Sequence, residues 1–369
     1  MYIYNPLFEL NKIKNISSLN IIRAITALII VIYHSKFILW CGGQEFIKKI
    51  GFTHWYDYPL FAVDMLSSNG EPIVVCFFIL SGFVITHSYR KSTYSIFHFY
   101  LIRLTRIYIP FLSSILLAIG ILFLVNYINP VIFKDNIREY NSRLVVAWNN
   151  LNLKNFCNTI LFIKEKEYMG LNFVYWSLLH EVLFYLIYPI YDLIKIKGRF
   201  ILISILILLF LLSSNQIIYY QIYFLVGIFI YDYSIAYPFK AFIKSKYLAF
   251  FIIVTLYLLM TIAFIKNWKI SADIISAVMS FFAFDFVLSH VSKPSKIISK
   301  LAEFSYTLYL NHLPFLLLIY VIFTVIFEKL IFYERYFYYL GVVFAVLLCK
   351  NLFFIERFSL YLIKKIKHT

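Results

Sequence analysis

Residues 19–40 read Leu19-Asn20-Ile21-Ile22-Arg23-Ala24-Ile25-Thr26-Ala27-Leu28-Ile29-Ile30-Val31-Ile32-Tyr33-His34-Ser35-Lys36-Phe37-Ile38-Leu39-Trp40. At ~1.5 Å per residue such a run crosses a hydrocarbon core of ~30 Å as a helix. Nine further apolar runs follow, at 72–88, 107–128, 174–194, 200–212, 216–233, 247–265, 271–291, 303–327 and 336–355, the one at 200–212 being short. The pattern predicts an all-α integral membrane protein, a bundle of about ten transmembrane helices. Residues 19–40 do not read as a cleaved signal: Arg23 lies inside the run, no A-x-A site follows, and Trp40 before Cys41 is wrong for lipoprotein processing.

Composition agrees. Of the 369 residues 62% are hydrophobic and only 14% charged, which excludes a water-soluble globule, while ten Gly and nine Pro are too few for linkers or disorder. A formal charge of +16 raises the question of nucleic acid. The basic residues, however, sit in short clusters between the apolar runs, as in cytoplasmic loops, so no nucleic-acid partner is expected. The four cysteines show no metal-ligand spacing, and Cys41 and Cys157 could pair only on an oxidising side.

With the N-terminus inside, the inner segments hold Lys12 and Lys14, then Arg90, Lys91, Arg103 and Arg106, then the clusters at 195–199, 240–246, 293–300 and 357–367. The short outer loops carry only Lys48, Lys49, Lys266, Lys269, Lys329 and Arg335. Both termini are therefore expected in the cytoplasm, with 41–71 and 129–173 outside. The 129–173 loop, which includes Trp148, is the extramembrane piece large enough to shape a site. No internal repeat and no second soluble domain is visible, so residues 1–369 read as one membrane-embedded domain.

Ionisable side chains inside a span are costly unless paired or hydrated, which makes each a functional candidate. Arg23 and His34 lie eleven positions apart, close to three turns, so they share a face at two depths. Arg23 either snorkels to the inner interface or serves the site. Glu181, in Trp176-Ser177-Leu178-Leu179-His180-Glu181, falls about two turns into its span, level with His34 by residue count. A carboxylate there could orient the imidazole and raise its basicity for general-base work; Asp285, near the depth of Arg23, reads as an ion-pair partner for it. Gly82 allows close helix approach, and Pro314 frees the carbonyl of Leu310. Arg103 and Arg106, three apart, share a helix face and suit the phosphates of an anionic cofactor, though topology alone also explains them.

These pieces resemble acyltransferase family 3, membrane O-acyltransferases of bacterial surface polysaccharides. The resemblance rests on Arg23-x10-His34, Phe77-Phe78-x-x-Ser81-Gly82-Phe83, Arg103-x-x-Arg106, Trp176-Ser177-Leu178 through Glu181 to Pro189, and Ser305-Tyr306-x-x-Tyr309-x-x-His312-x-Pro314. It implies a bundle of about ten spans in the bacterial inner membrane, acetyl-CoA as acyl donor, a glycan acceptor and lipid surroundings. It also implies essential roles for Arg23 and His34 and a donor role for Arg103 and Arg106. Glu71-Pro72 and Val75-Cys76 depart from the family pattern, and no extracytoplasmic hydrolase-like domain is appended; partnership with a separate extracytoplasmic transferase stays open. The expected function is transfer of an acyl group, acetyl above others, to a polysaccharide hydroxyl, with His34 as base, Glu181 orienting it and Arg23 aiding the donor. Ser81, Trp176, Ser305, Tyr309 and His312 are the candidate cavity or substrate residues. No GxSxG elbow is present, so direct transfer is preferred over a covalent carrier at Ser81 or Ser305. A proton-coupled transporter or flippase of lipid-linked sugars is the rival.

Overall fold

A spanning segment has no water to bond its backbone, so runs this apolar satisfy their N–H and C=O groups internally as helix. The computed structural model describes residues 16–92, 95–134, 138–194, 196–236, 241–291 and 293–368, and among them there is no strand. Its helices are α1 (Asn20–Leu39), α2 (Gly43–Lys49), α3 (Asp57–Leu66), α4 (Gly70–Arg90), α5 (Ile96–Ile128), α6 (Glu139–Asn149), α7 (Leu153–Ile160) and α8 (Tyr175–Leu193). They continue with α9 (Ile196–Ser213), α10 (Gln216–Ala236), α11 (Lys246–Ile265), α12 (Lys269–His290), α13 (Lys296–Glu303), α14 (Ser305–Phe327), α15 (Tyr336–Asn351) and α16 (Phe353–His368).

Each of the ten apolar runs is helical. Among the described residues, seven helical stretches are long and apolar enough to cross a membrane: Ser17–Leu39, α4, α5, α11, α12, α14 and Tyr336–Lys367. The other three fall short for visible reasons. Tyrosines and polar groups dilute α8 and α10, and the apolar part of α9 is the short helix Ile201–Ser213. Helix α5 starts at Ile96, well before residue 107, so Arg103 and Arg106 lie within a long helix rather than in a connection. Of the basic residues that set the expected topology, Lys12, Lys14, Lys195 and Lys240 lie outside the described residues.

The chain divides into two compact units that interleave in sequence. The first takes in the described residues up to Thr26, Glu71–Arg103 and His180–Glu303. Here α4 and α10 approach through two glycines: a Cβ on Gly82 would lie 2.2 Å from the carbonyl oxygen of Phe224, and one on Gly227 2.1 Å from that of Ile79. Only glycine permits backbones this close. The first turn of α4 docks on α12, where Ser276 donates to the Pro72 carbonyl at 2.6 Å and Ser280 to Cys76 Sγ at 2.9 Å. That contact gives Pro72 and Cys76, in the unusual first turn of the helix, a packing role. Arg90 and Arg199 share Asp192 and Asp232 in a four-charge network, each buried charge having a partner.

The second unit comprises Ala27–Gly70, Leu104–Leu179 and Phe304–Thr369. Helix α14 is mostly buried in it and packs on α15 and α16. Its N-terminus is met by Glu356, which accepts from Thr307 N at 3.2 Å and Thr307 Oγ1 at 2.7 Å, so a carboxylate faces the positive end of the helix. A cap of α2 and α3 is held by Arg335, which donates to Asp64 at 2.7 Å and to Asp57 at 3.2 Å and stacks over Phe46. Asp64 is fully buried, also accepts from Tyr338, and its backbone carbonyl takes the ammonium of Lys36.

Candidate functional site

The second unit brings two of the singled-out residues into contact. His34 Nδ1 lies 2.8 Å from His312 Nε2, with the rings stacked at 12°, and His312 is fully buried. The other nitrogen of His312, Nδ1, lies 2.9 Å from the carbonyl oxygen of Leu308. A carbonyl only accepts, so His312 Nδ1 carries the proton and, in the neutral ring, Nε2 has the lone pair. His34 Nδ1 must then donate to it, which leaves the lone pair of neutral His34 on Nε2. The relay runs from the Leu308 carbonyl through His312 to His34, and it fixes the tautomer of both neutral rings.

Neighbours hold the relay in place. Phe173 meets the His34 ring edge-on at 5.0 Å, and Arg143 lies over the Phe173 ring at 4.7 Å while it grips Glu167 through two hydrogen bonds of 2.6 and 3.1 Å. Pro314 frees the Leu310 carbonyl as its sequence position implies. That oxygen accepts from Asn172 at 2.7 Å and Ser114 at 2.9 Å, so the bend beside His312 is tied to α5 and to the segment before α8. Tyr309 shares a 2.6 Å hydrogen bond with Ser177; Trp176 is half-buried and Ser305 buried at the first turn of α14.

In the first unit Glu181 accepts from Tyr185 and, at 3.5 Å, from Ser81. The Tyr185 ring lies 5.6 Å from the Arg103 guanidinium, whose other aromatic contact is Phe99 at 5.5 Å. Arg103 is buried, Arg106 half-buried and Arg23 half-buried. Residue counting put Glu181 level with His34, but the partner the structure gives the His34 ring is His312, while Glu181 serves Tyr185 and Ser81. Asp285 accepts the backbone N–H of Phe242 at 3.0 Å and Ile243 at 3.4 Å. Arg143, Glu167 and Phe173 were not legible as site residues: their only sequence signal is membership of the long 129–173 segment.

A cavity of about 650 Å³ opens in the second unit at the end of α1, walled by Tyr33, Phe37, Trp40, Tyr140 and Tyr333 among others. Phe37 on its wall touches Phe173, the ring that meets His34. Cys41 also lines it, and burial pushes that thiol up to about 11 against the opposing pull of Arg138.

Fold and site together define an all-α integral membrane protein with a hydrogen-bonded pair of buried histidines. A family profile described as an acyltransferase domain matches residues 16–350. The chain belongs to this family, acyltransferase family 3, and is a membrane enzyme that transfers acyl groups. No curated protein and no solved structure matches it.

Proposed function

We propose that the protein moves an acetyl group from acetyl-CoA on the cytoplasmic side to a hydroxyl of a cell-surface or lipid-linked polysaccharide, in a bacterial inner membrane with both termini cytoplasmic. The observation that carries this reading is the Leu308–His312–His34 relay, since O-acyl transfer needs a neutral base aimed at an acceptor hydroxyl. His34 Nε2 takes the hydroxyl proton as the acceptor oxygen attacks the thioester carbonyl. The tetrahedral intermediate then expels the CoA sulfur, which receives the proton from His34. His312 is the positioning residue in this scheme; donor roles fall to Arg103 and Arg23 in the first unit and to Arg106 in the second. Glu181 orders Tyr185 under Arg103 and so belongs to the donor side.

The test is purified protein in nanodiscs with acetyl-CoA and de-O-acetylated surface polysaccharide, followed by CoA thiol release and by NMR of the glycan. Wild type should add acetyl signals, and His34→Ala should add none. Survival of the signal in His34→Ala at normal expression would end the reading, and an export defect without an acylation defect in cells would favour a transporter.

A further inference from the structure

The cavity at the end of α1 is a space in the second unit that the relay does not itself occupy. Two of its lining cations are already committed. Arg138 donates to the carbonyls of Phe37, Ile38 and Trp40, at 2.9, 2.9 and 3.0 Å, and so caps the C-terminus of α1. Lys36 donates to the Asp64 carbonyl and to the hydroxyls of Ser67 and Ser68 at 3.0 and 2.9 Å. The charges left at the rim are Glu45, Glu139 and Lys49, all exposed. Between them stand the five aromatic rings of the wall.

Among the described lining residues, a polyanion such as the nucleotide diphosphate of CoA would meet the single exposed ammonium of Lys49 against the two carboxylates of Glu45 and Glu139, with Arg138 and Lys36 committed elsewhere. A hydroxyl-rich ring suits the same surface: its C–H face packs on aromatic rings, and its hydroxyls donate to carboxylate oxygens, which can only accept. The residues that form the walls come from 33–49, 65–68, 138–140 and 331–333, and past α1 these are the segments that the charge pattern places outside. We propose that this cavity is the acceptor subsite, that it takes an uncharged sugar unit of the polysaccharide, and that it excludes the acyl donor; the proposal rests on the polysaccharide reading above.

Cys41 provides a native reporter, because it lines the cavity, while Cys157 is exposed and Cys76 and Cys349 are buried. In Cys157→Ser protein, the rate of Cys41 modification by a small methanethiosulfonate reagent should fall several-fold with saturating de-O-acetylated polysaccharide and stay unchanged with acetyl-CoA. Glu45→Ala and Glu139→Ala, at exposed positions, should each raise the acceptor concentration for half-maximal CoA release about tenfold and leave that for acetyl-CoA unaltered. Protection by acetyl-CoA would overturn the assignment. So would unchanged labelling with a polysaccharide that the same protein still acetylates, or two carboxylate variants with wild-type acceptor dependence. Failure of the wild type to release CoA in response to the glycan is a separate result: it would remove the polysaccharide reading, and this assignment with it.

Discussion

His312→Phe is the sharpest perturbation of the relay. The substitution keeps an apolar ring in a fully buried slot and removes the acceptor 2.8 Å from His34 Nδ1. A buried donor without a partner costs ~1–3 kcal/mol. The His34 ring can escape that cost by moving its proton to Nε2, which takes the lone pair away from the acceptor hydroxyl. A tautomer bias of that size lowers the productive population ~5- to 150-fold. Lost ring orientation adds to this, so a fall in kcat of ~10²- to 10³-fold is expected, within the range that general-base catalysis supplies. The KM for acetyl-CoA should stay put. His312→Gln should recover part of the loss, because its amide oxygen can accept from Nδ1. Single-turnover CoA release by nanodisc protein, with folding checked by gel filtration, reads all three. A kcat for His312→Phe within about threefold of wild type would refute the relay, and equal losses in the Phe and Gln variants would show that His312 only fills space.

Arg335→Ala leaves the fully buried Asp64 without its cation and should cost ~3–5 kcal/mol; a change below ~1 kcal/mol in detergent unfolding would show that this pair does not hold the α2–α3 cap. Gly227→Ala places a Cβ 2.1 Å from the Ile79 carbonyl oxygen, where backbone rather than a side-chain tip must yield, so monodisperse protein should be largely lost on gel filtration. Because burial raises the Cys41 thiol to about 11, its alkylation in Cys157→Ser protein should climb about tenfold per pH unit from pH 8 to 10, and a plateau by pH 9 would refute that environment. Arg103→Lys keeps the charge but loses the planar contact with Phe99 and Tyr185, so acetyl-CoA affinity should fall ~10-fold; equal affinity would return Arg103 to a topology signal.

Much of this was legible in the chain. The apolar runs gave helices at all ten places, Gly82 marked a backbone approach, and Pro314 marked an exposed carbonyl at Leu310 that Ser114 and Asn172 then satisfy. The partner of His34 was not legible, for a geometric reason. Residue counting gives a height along one helix and a direction about its own axis; which neighbour fills that direction depends on the packing order of the helices. Glu181 was singled out by its height alone, whereas the contact of His34 with His312 comes from the packing of α1 on α14 within the second unit. The start of α5 lay outside the 107–128 run because His98, Arg103 and Arg106 interrupt its first turns. The ligands of Asp285 were hidden because backbone N–H groups have no side-chain signature.

The relay also has a consequence for how the protein is made. His34 and His312 stand 278 residues apart, and the second unit cannot acquire α14 until nearly all of the chain has been translated. At ~5–20 residues per second the first helix waits ~15–60 s on the ribosome for the residue that orients its imidazole. A nascent chain would therefore hold His34 in the membrane well before its imidazole has its partner. The histidine pair, as opposed to mere insertion, is then among the last features to mature.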